Sequence, residues 1–319
     1  MNPGRTDTEA TPLPVLFFDT ELPEAYADLV EGRAIAVVPA AGLDQAVGVI
    51  AGARIRWDAE RFALAPKLVV VSRTGIGYDN IDIGAATAAG VIVCNAPAAP
   101  TVSTAEHTIA LLLAVTKQLP SQIVRARLGL AGAPTCTALE LDGATLGLIG
   151  FGRIAARVAT VAHGLGMRVI AFDPFVTESS VAGVELTTLE AVVAGADVLS
   201  LHAPASDTTR HLVGRDLIAA MKPGAYLVNT ARGSLVDPQA ILDALDRGHL
   251  AGVALDVTEP EPLPAGHPLL EHECVIVTPH VASSTITGRR RLYQHAIDNA
   301  LAVLAGQPAT IVNPPVRRT

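Results

Sequence analysis

Aromatic side chains are scarce in this sequence: Phe, Tyr and Trp together make up 3% of 319 residues. Ala, Val, Leu and Ile must supply the apolar mass, which suits parallel sheets covered by tightly packed helices. Cysteine is scarce too. Cys94, Cys136 and Cys274 are odd in number and widely separated. No disulfide framework or metal-ligand spacing links them, so free thiols in a reducing compartment are expected, with no metal. Cys136, in the loop-like "APTCTA" stretch, is a candidate reactive thiol, with an inert one the preferred reading. Long apolar runs are missing: "IALLLAV" at 109–115 is too short to span a bilayer, and "VLFF" is too short for the core of a signal peptide. A cytoplasmic protein without a membrane partner is expected. Positive charge is in deficit. The net charge is −8 and the one basic run is Arg289–Arg291, which argues against nucleic acid.

What is present is a large apolar fraction. Half of the chain is hydrophobic and 17% is charged, so it can bury an extensive core, and its length allows two domains. Short β-rich runs alternate with alanine-rich helical runs, the pattern of an α/β protein. In the first part, "PVLFFD" (14–19), "GVIA" (48–51), "KLVVVSR" (67–73) and "VIVCN" (91–95) read as strands. "EAYADLVEG" and "NIDIGAATAAG" read as helices closed by glycine. "TVSTAEHTIALLLAVTKQLP" (101–120) reads as one helix packed between layers, capped by Thr101 or Ser103 and stopped by Pro120. Six stronger strand runs follow, starting at 144, 168, 197, 225, 252 and 274, and all gaps but the last hold a helix-sized segment. That predicts a doubly wound parallel sheet. A second long helix is expected over 287–306.

The first of these six strands leads into "GLIGFGRIAARVA", which contains Gly150-x-Gly152-x-x-Ala155. The first glycine permits a tight turn, and the second lets a pyrophosphate approach the backbone. The third position needs a small residue for helix–strand packing. The next strand ends in Asp173, 18 residues beyond Ala155, and Pro174, Phe175 and Val176 follow. An acid there accepts hydrogen bonds from ribose hydroxyls and repels a 2′-phosphate. With no arginine alongside it, NAD(H) is expected in preference to NADP(H).

Together with "SRTGIGYDNIDIGAAT" (72–87), "TVSTAEHTIALLLA" (101–114), "NTARGSLVD" (229–237), "ALDVTEPEPLP" (254–264) and "TPHVASST" (278–285), this loop resembles the D-isomer-specific 2-hydroxyacid dehydrogenases, including the phosphoglycerate dehydrogenase and hydroxypyruvate reductase types. The resemblance implies two Rossmann-like domains. An NAD-binding domain (105–285) would be inserted into a discontinuous substrate domain (12–104 and 286–319), with the active site in the cleft and residues 1–11 a disordered tail. It implies Arg232, Glu261 and His280 as catalytic residues, and Arg73, Gly75, Ile76 and Gly77 as substrate-binding residues. The cofactor would meet Gly150, Phe151, Gly152, Arg153, Ile154, Asp173, His202, Ala203, Pro204, Thr208, Thr230, Ala231, Arg232, Asp256 and His280. A homodimer acting on a small 2-hydroxy or 2-keto acid is implied.

The chemistry agrees with this assignment. A histidine suits the hydroxyl proton, an arginine fork suits a carboxylate, and a second acid is needed to orient the histidine. Glu261 is assigned that last role, Glu259 is expected to be solvated, and Asp256 is expected to tune the cofactor side. His202 is read as packing or as lining the cofactor site. Gly75 and Gly77 flank a turn whose amides can form an anion nest. Gly52 stands where phosphoglycerate-type relatives often carry an arginine, which leaves Arg54 or Arg73 for an anionic tail. The alternatives are a phosphoglycerate- or phosphonate-specific dehydrogenase, and a non-enzymatic NAD(H)-sensing scaffold of the same fold.

Overall fold

The computed structural model describes residues 12–38, 42–130, 138–307 and 309–313. Cys136 and the 1–11 tail lie outside them. The chain divides into two compact units, one within 1–100 and 289–319, the other over 101–288. The boundaries expected at 104/105 and 285/286 thus fall a few residues further out. The first coincides with the start of the long helix at Thr101.

The first unit is a five-stranded sheet in the order β2-β1-β3-β4-β5. The strands are β1 (Val15–Phe18), β2 (Ile35–Val37), β3 (Gly48–Ala51), β4 (Val70–Arg73) and β5 (Ile92–Cys94), all parallel. Leu16, Phe18, Ile50 and Val70 face one core. Val49, Val71, Val93 and Trp57 face another, as alternation across a sheet buried on both sides requires. Helices α1 (Ala59–Ala63) and α2 (Ile83–Ala88) start at Asp58 and Asp82, whose carboxylates accept from Arg61 N and Ala85 N. β2 is an addition to the four strands that the sequence pattern predicts for this part.

The second unit opens with α3 (Thr101–Thr116) and α4 (Leu119–Arg127). The single helix expected over 101–120 is therefore two. Gln118 adopts a left-handed conformation (φ 55°), and Pro120 sits in the first turn of α4 rather than ending α3. Proline is tolerated there because the N–H it lacks would have had no intrahelical partner. Neither expected cap serves. Thr101 already lies inside the helix, and Ser103 Oγ is bonded to Thr285 Oγ1 at 2.8 Å.

The sheet of this unit has seven strands, not six, in the order β12-β11-β10-β9-β6-β7-β8. They are β6 (Thr145–Ile149), β7 (Arg168–Phe172), β8 (Val184–Leu186), β9 (Val198–Leu201), β10 (Ala225–Asn229), β11 (Leu250–Leu255) and β12 (Val275–Val277). Its helices are α5 (Arg153–Gly164), α6 (Leu189–Gly195), α7 (Arg215–Ala220), α8 (Pro238–Asp246) and α9 (Pro268–Glu271). Last comes α10 (Ile286–Leu304), which passes into the first unit. α3 and α5 share one core with Leu146, Leu148, Val228 and Ala254, while α6 and α8 cover the opposite face. All seven strands are parallel, so their carboxyl ends lie along one edge. The order steps away from β6 in both directions, which makes the β6/β9 junction a switch point where ligands bind such sheets.

Candidate active site

Three strand ends build the chemistry. β10 ends in Asn229, fully buried, whose amide staples the next turn: Nδ2 donates to Arg232 O (2.8 Å), and Oδ1 accepts from Ala231 N (3.0 Å). Thr230 is pinned by a hydroxyl pair with Thr108 of α3 (2.8 Å). Arg232 Nη1 also reaches Ala231 O (2.7 Å). The next residue must be glycine, because a Cβ on Gly233 would lie 2.0 Å from Thr258 O. That close approach puts the arginine turn against the loop after β11.

The β11 loop carries the acids. Asp256 is 1% exposed. Its Oδ1 accepts from Thr278 Oγ1 (2.6 Å) and Val281 N (2.9 Å), and its Oδ2 from Ala282 N (2.9 Å). Burial opposes its charge, but these bonds and His107 outweigh burial and hold its carboxyl below the usual range. Asp256 thus anchors the turn after β12. Any contact it makes with a cofactor would be through the remaining lone pair of Oδ2.

That turn presents His280. It sits at φ 54°, a left-handed conformation that costs an ordinary side chain roughly 1–2 kcal/mol. Its amide donates to Asp256 O (2.8 Å) and Thr278 O (3.0 Å), which helps hold the conformation. Its Nδ1 meets Glu261 Oε1 at 2.7 Å. Burial pushes the Glu261 carboxyl up, but the His280 bond and charge, with Arg232 nearby, bring it below its ordinary value. Since a carboxylate only accepts, Nδ1 is the donor and Nε2 is left for substrate.

Glu259 corrects an expectation. It is not simply solvated: Oε1 pairs with Arg210 Nη1 and Oε2 with His211 Nε2, both at 2.7 Å. These partners lie nearly fifty residues away, beyond any local spacing.

The cofactor side lies at the β6 and β7 ends. Gly150 has φ 89°, and a Cβ there would strike the His202 and Ala203 backbone at 2.7 Å, so two independent constraints demand glycine. Gly152 opens α5 with no side-chain cap, and a Cβ on it would meet nothing within 4 Å. An uncapped helix N-terminus beside open space fits a pyrophosphate. Arg153 and Ile154 form the first turn, and Phe151 is buried. The Asp173 carboxylate accepts from Phe151 N (2.8 Å) and Phe175 N (2.9 Å), which holds it beside the glycine turn. His202 Nε2 meets Ser200 Oγ (3.0 Å), and desolvation pushes its imidazole down to about 4, so it is neutral near pH 7. Ala203 and Pro204 follow β9, and Thr208 is exposed on the next turn. The residues present fit a dinucleotide.

The model for the D-isomer specific 2-hydroxyacid dehydrogenase NAD binding domain matches residues 109–282, more than half of the chain. This chain belongs to that family. D-3-phosphoglycerate dehydrogenase of Mycobacterium tuberculosis H37Rv is 40% identical over 252 residues, which are 78% of this chain and 48% of that protein. The chain therefore spans about half the length of that curated relative. Glyoxylate reductase of Thermofilum pendens is 39% identical over 264 residues, 80% of this chain and 78% of the relative. Among solved structures, the TT0316 protein of Thermus thermophilus is 38% identical with a TM-score of 0.85, covering 93% of this chain and 99% of that one. Within the family fold, the second unit described above is the NAD-binding part.

In the first unit, Arg73 ends β4 and is 8% exposed, and the absence of a side chain on Gly75 leaves room for its guanidinium. Gly75 O accepts from Ala96 N (2.9 Å) and Ile76 O from Asn95 Nδ2 (2.8 Å). In planar trans peptides the Ile76 and Gly77 N–H groups therefore point away from those two donors. At Gly52, the N–H donates to the buried Asp19 carboxylate (2.6 Å), and a Cβ would meet Thr20 Cγ2 at 2.9 Å. Arg54 is exposed.

Asn229, Thr278 and His107 belong to the site without having been singled out by sequence reasoning. The signal for the first two is that Asn229 and Thr278 open the "NTARGSLVD" and "TPHVASST" motifs, near the ends of predicted strand runs. His107 has no signal beyond its place in a helix motif.

Proposed function

We propose that this protein is an NAD-dependent oxidoreductase moving a hydride between nicotinamide and C2 of a small D-2-hydroxy or 2-keto acid. The observation that carries the reading is the Glu261–His280 pair at 2.7 Å, set beside the Arg232 turn on the carboxyl edge of a family-matched NAD-binding sheet. Bound nicotinamide supplies or accepts the hydride. In the reducing direction, protonated His280 donates from Nε2 to the carbonyl oxygen of the keto acid. Glu261 keeps Nδ1 protonated and stabilises the imidazolium. Arg232 binds the substrate carboxylate and polarises the carbonyl. Within the first unit, taken by itself, Arg73 and the Ile76–Gly77 amides are the groups we assign to binding an anion.

Asp173 supports NAD(H) over NADP(H): its carboxylate is fixed where a 2′-phosphate would be repelled, and no arginine follows it. A homodimer is supported by α4, which buries none of its side chains and leaves Leu119, Ile123 and Val124 exposed, with Leu128 exposed just beyond its end. No helix among the described residues is long and apolar enough to cross a membrane. We assign a cytoplasmic setting, in keeping with the free, buried thiol of Cys94.

The identity to phosphoglycerate dehydrogenases favours a second substrate, a phosphorylated keto acid. Gly52 weighs against it: its N–H is committed to Asp19, and a glycine offers no guanidinium. The test is NADH consumption with hydroxypyruvate, glyoxylate and phosphohydroxypyruvate. Turnover of one or more supports the reaction class and ranks the substrates. Binding of NADH with silence across the panel supports the scaffold.

A further inference from the structure

We propose that His107, on α3, is a positioning residue of this reaction, acting through Thr278 and Asp256 on the turn that carries His280. The proposal rests on the dehydrogenase reading. His107 Nε2 lies 3.1 Å from Thr278 Oγ1 and 3.4 Å from Asp256 Oδ1. Thr278 Oγ1 lies 2.6 Å from Asp256 Oδ1. A hydroxyl has one hydrogen, and an ionised carboxylate can only accept. The Thr278 hydrogen therefore goes to Asp256, and Thr278 Oγ1 must accept from His107. This fixes the His107 tautomer with its hydrogen on Nε2. The chain runs His107 Nε2–H to Thr278 Oγ1–H to Asp256 Oδ1, each donor pointing toward the carboxylate.

The receiving carboxylate holds the catalytic turn from both sides. Asp256 accepts from Val281 N and Ala282 N, and its own carbonyl accepts from His280 N. That turn carries His280 at its left-handed φ of 54°. His107 comes from an element whose other face is committed to packing on the sheet: Thr108, Leu111, Leu112 and Val115 are buried beside it. Its ring is 23% exposed, so the contact is shielded but the ring is not sealed in the core. α3 thereby supplies the reaction turn with a rigid donor, without itself touching substrate.

The test compares His107→Phe, which keeps a ring and loses the donor, with His107→Gln, whose side-chain amide can restore an N–H to Thr278. The full-length protein is used, with melting temperature as the check on folding. The first readout is hydrogen–deuterium exchange of the 280–282 amides, which needs no turnover. The second is the separation of kcat from KM in NADH-dependent keto-acid reduction. His107→Phe is expected to speed exchange at 280–282 and to lower kcat about fivefold or more, the worth of one lost net hydrogen bond, with little change in KM. His107→Gln is expected to recover both to within about twofold. Unchanged exchange in His107→Phe overturns the proposal. So does a His107→Gln variant as impaired as His107→Phe, which would show that ring packing is what counts. If the wild type turns over no keto acid while exchange follows the expected pattern, the proposed reaction fails and the positioning contact stands.

Discussion

Replacing Glu261 by glutamine removes a charge and keeps an acceptor, so it isolates what the carboxylate does for His280. The bond it alters is 2.7 Å long, and the two side chains are 39% and 42% exposed. A hydrogen bond to a charged group contributes about 1.5–3 kcal/mol. Solvent screening at this exposure removes part of that, leaving about 1–2 kcal/mol. The imidazolium, which is poised to give its proton, loses this support. At about 1.4 kcal/mol per decade, kcat should fall roughly 5–30-fold. Glutamine Oε1 can still accept from Nδ1–H and hold the ring, so NADH affinity and KM should change little. Replacement by alanine also frees the ring, and kcat should fall further. The assay is steady-state NADH oxidation under saturating keto acid, with NADH fluorescence titration for binding. A Glu261→Gln enzyme within twofold of wild type would refute the argument. So would a loss of NADH affinity equal to the loss of kcat, because the residue would then be shaping the fold rather than the proton transfer.

Asp173→Asn should raise the NADPH-to-NADH ratio of kcat/KM by about tenfold, the effect of roughly 1.4 kcal/mol of relieved repulsion; an unchanged ratio places discrimination elsewhere. Gly150→Ala should lower the melting temperature and weaken NADH binding, since the added carbon meets the His202–Ala203 backbone at a φ that alanine disfavours; wild-type values for both would contradict the turn geometry. Asp256→Asn should destabilise the protein at neutral pH. The Asp256 carboxyl is held below its usual value, so its stabilisation is fully present above an unfolded pKa of about 3.9 and fades as pH falls through the lower folded value. Denaturant midpoints for wild type and Asp256→Asn should therefore differ at pH 7 and converge below about pH 4; a gap that stays constant with pH would mean the carboxylate charge contributes nothing.

Much of the second unit was legible because its strands are buried on both faces and read as unbroken apolar runs. β8 was not, because it is a three-residue strand, Val184–Leu186, with partly exposed side chains. β2, Ile35–Val37, escaped for the same reason. The break between α3 and α4 was hidden because Pro120 after a helical run signals an end and a beginning equally well, and only the left-handed Gln118 decides between them. Glu261 and His280 lie 19 residues apart in two successive motifs, and the pairing could be named from the resemblance. Arg210, His211 and Glu259 meet only because the strand order folds two loops together, and no periodicity encodes that. The same holds for His107 and Asp256, which are brought together by α3 packing on the sheet.

The central claim is that His280 moves the proton while the rest of the site binds. It is tested most directly by a single-turnover measurement of NADH oxidation on His280→Ala beside wild type, with whichever keto acid the wild type accepts. The rate should be at least about 100-fold lower, as expected for loss of a general acid, with NADH bound as tightly as before. A His280→Ala enzyme that still oxidises NADH at a near wild-type rate would contradict it.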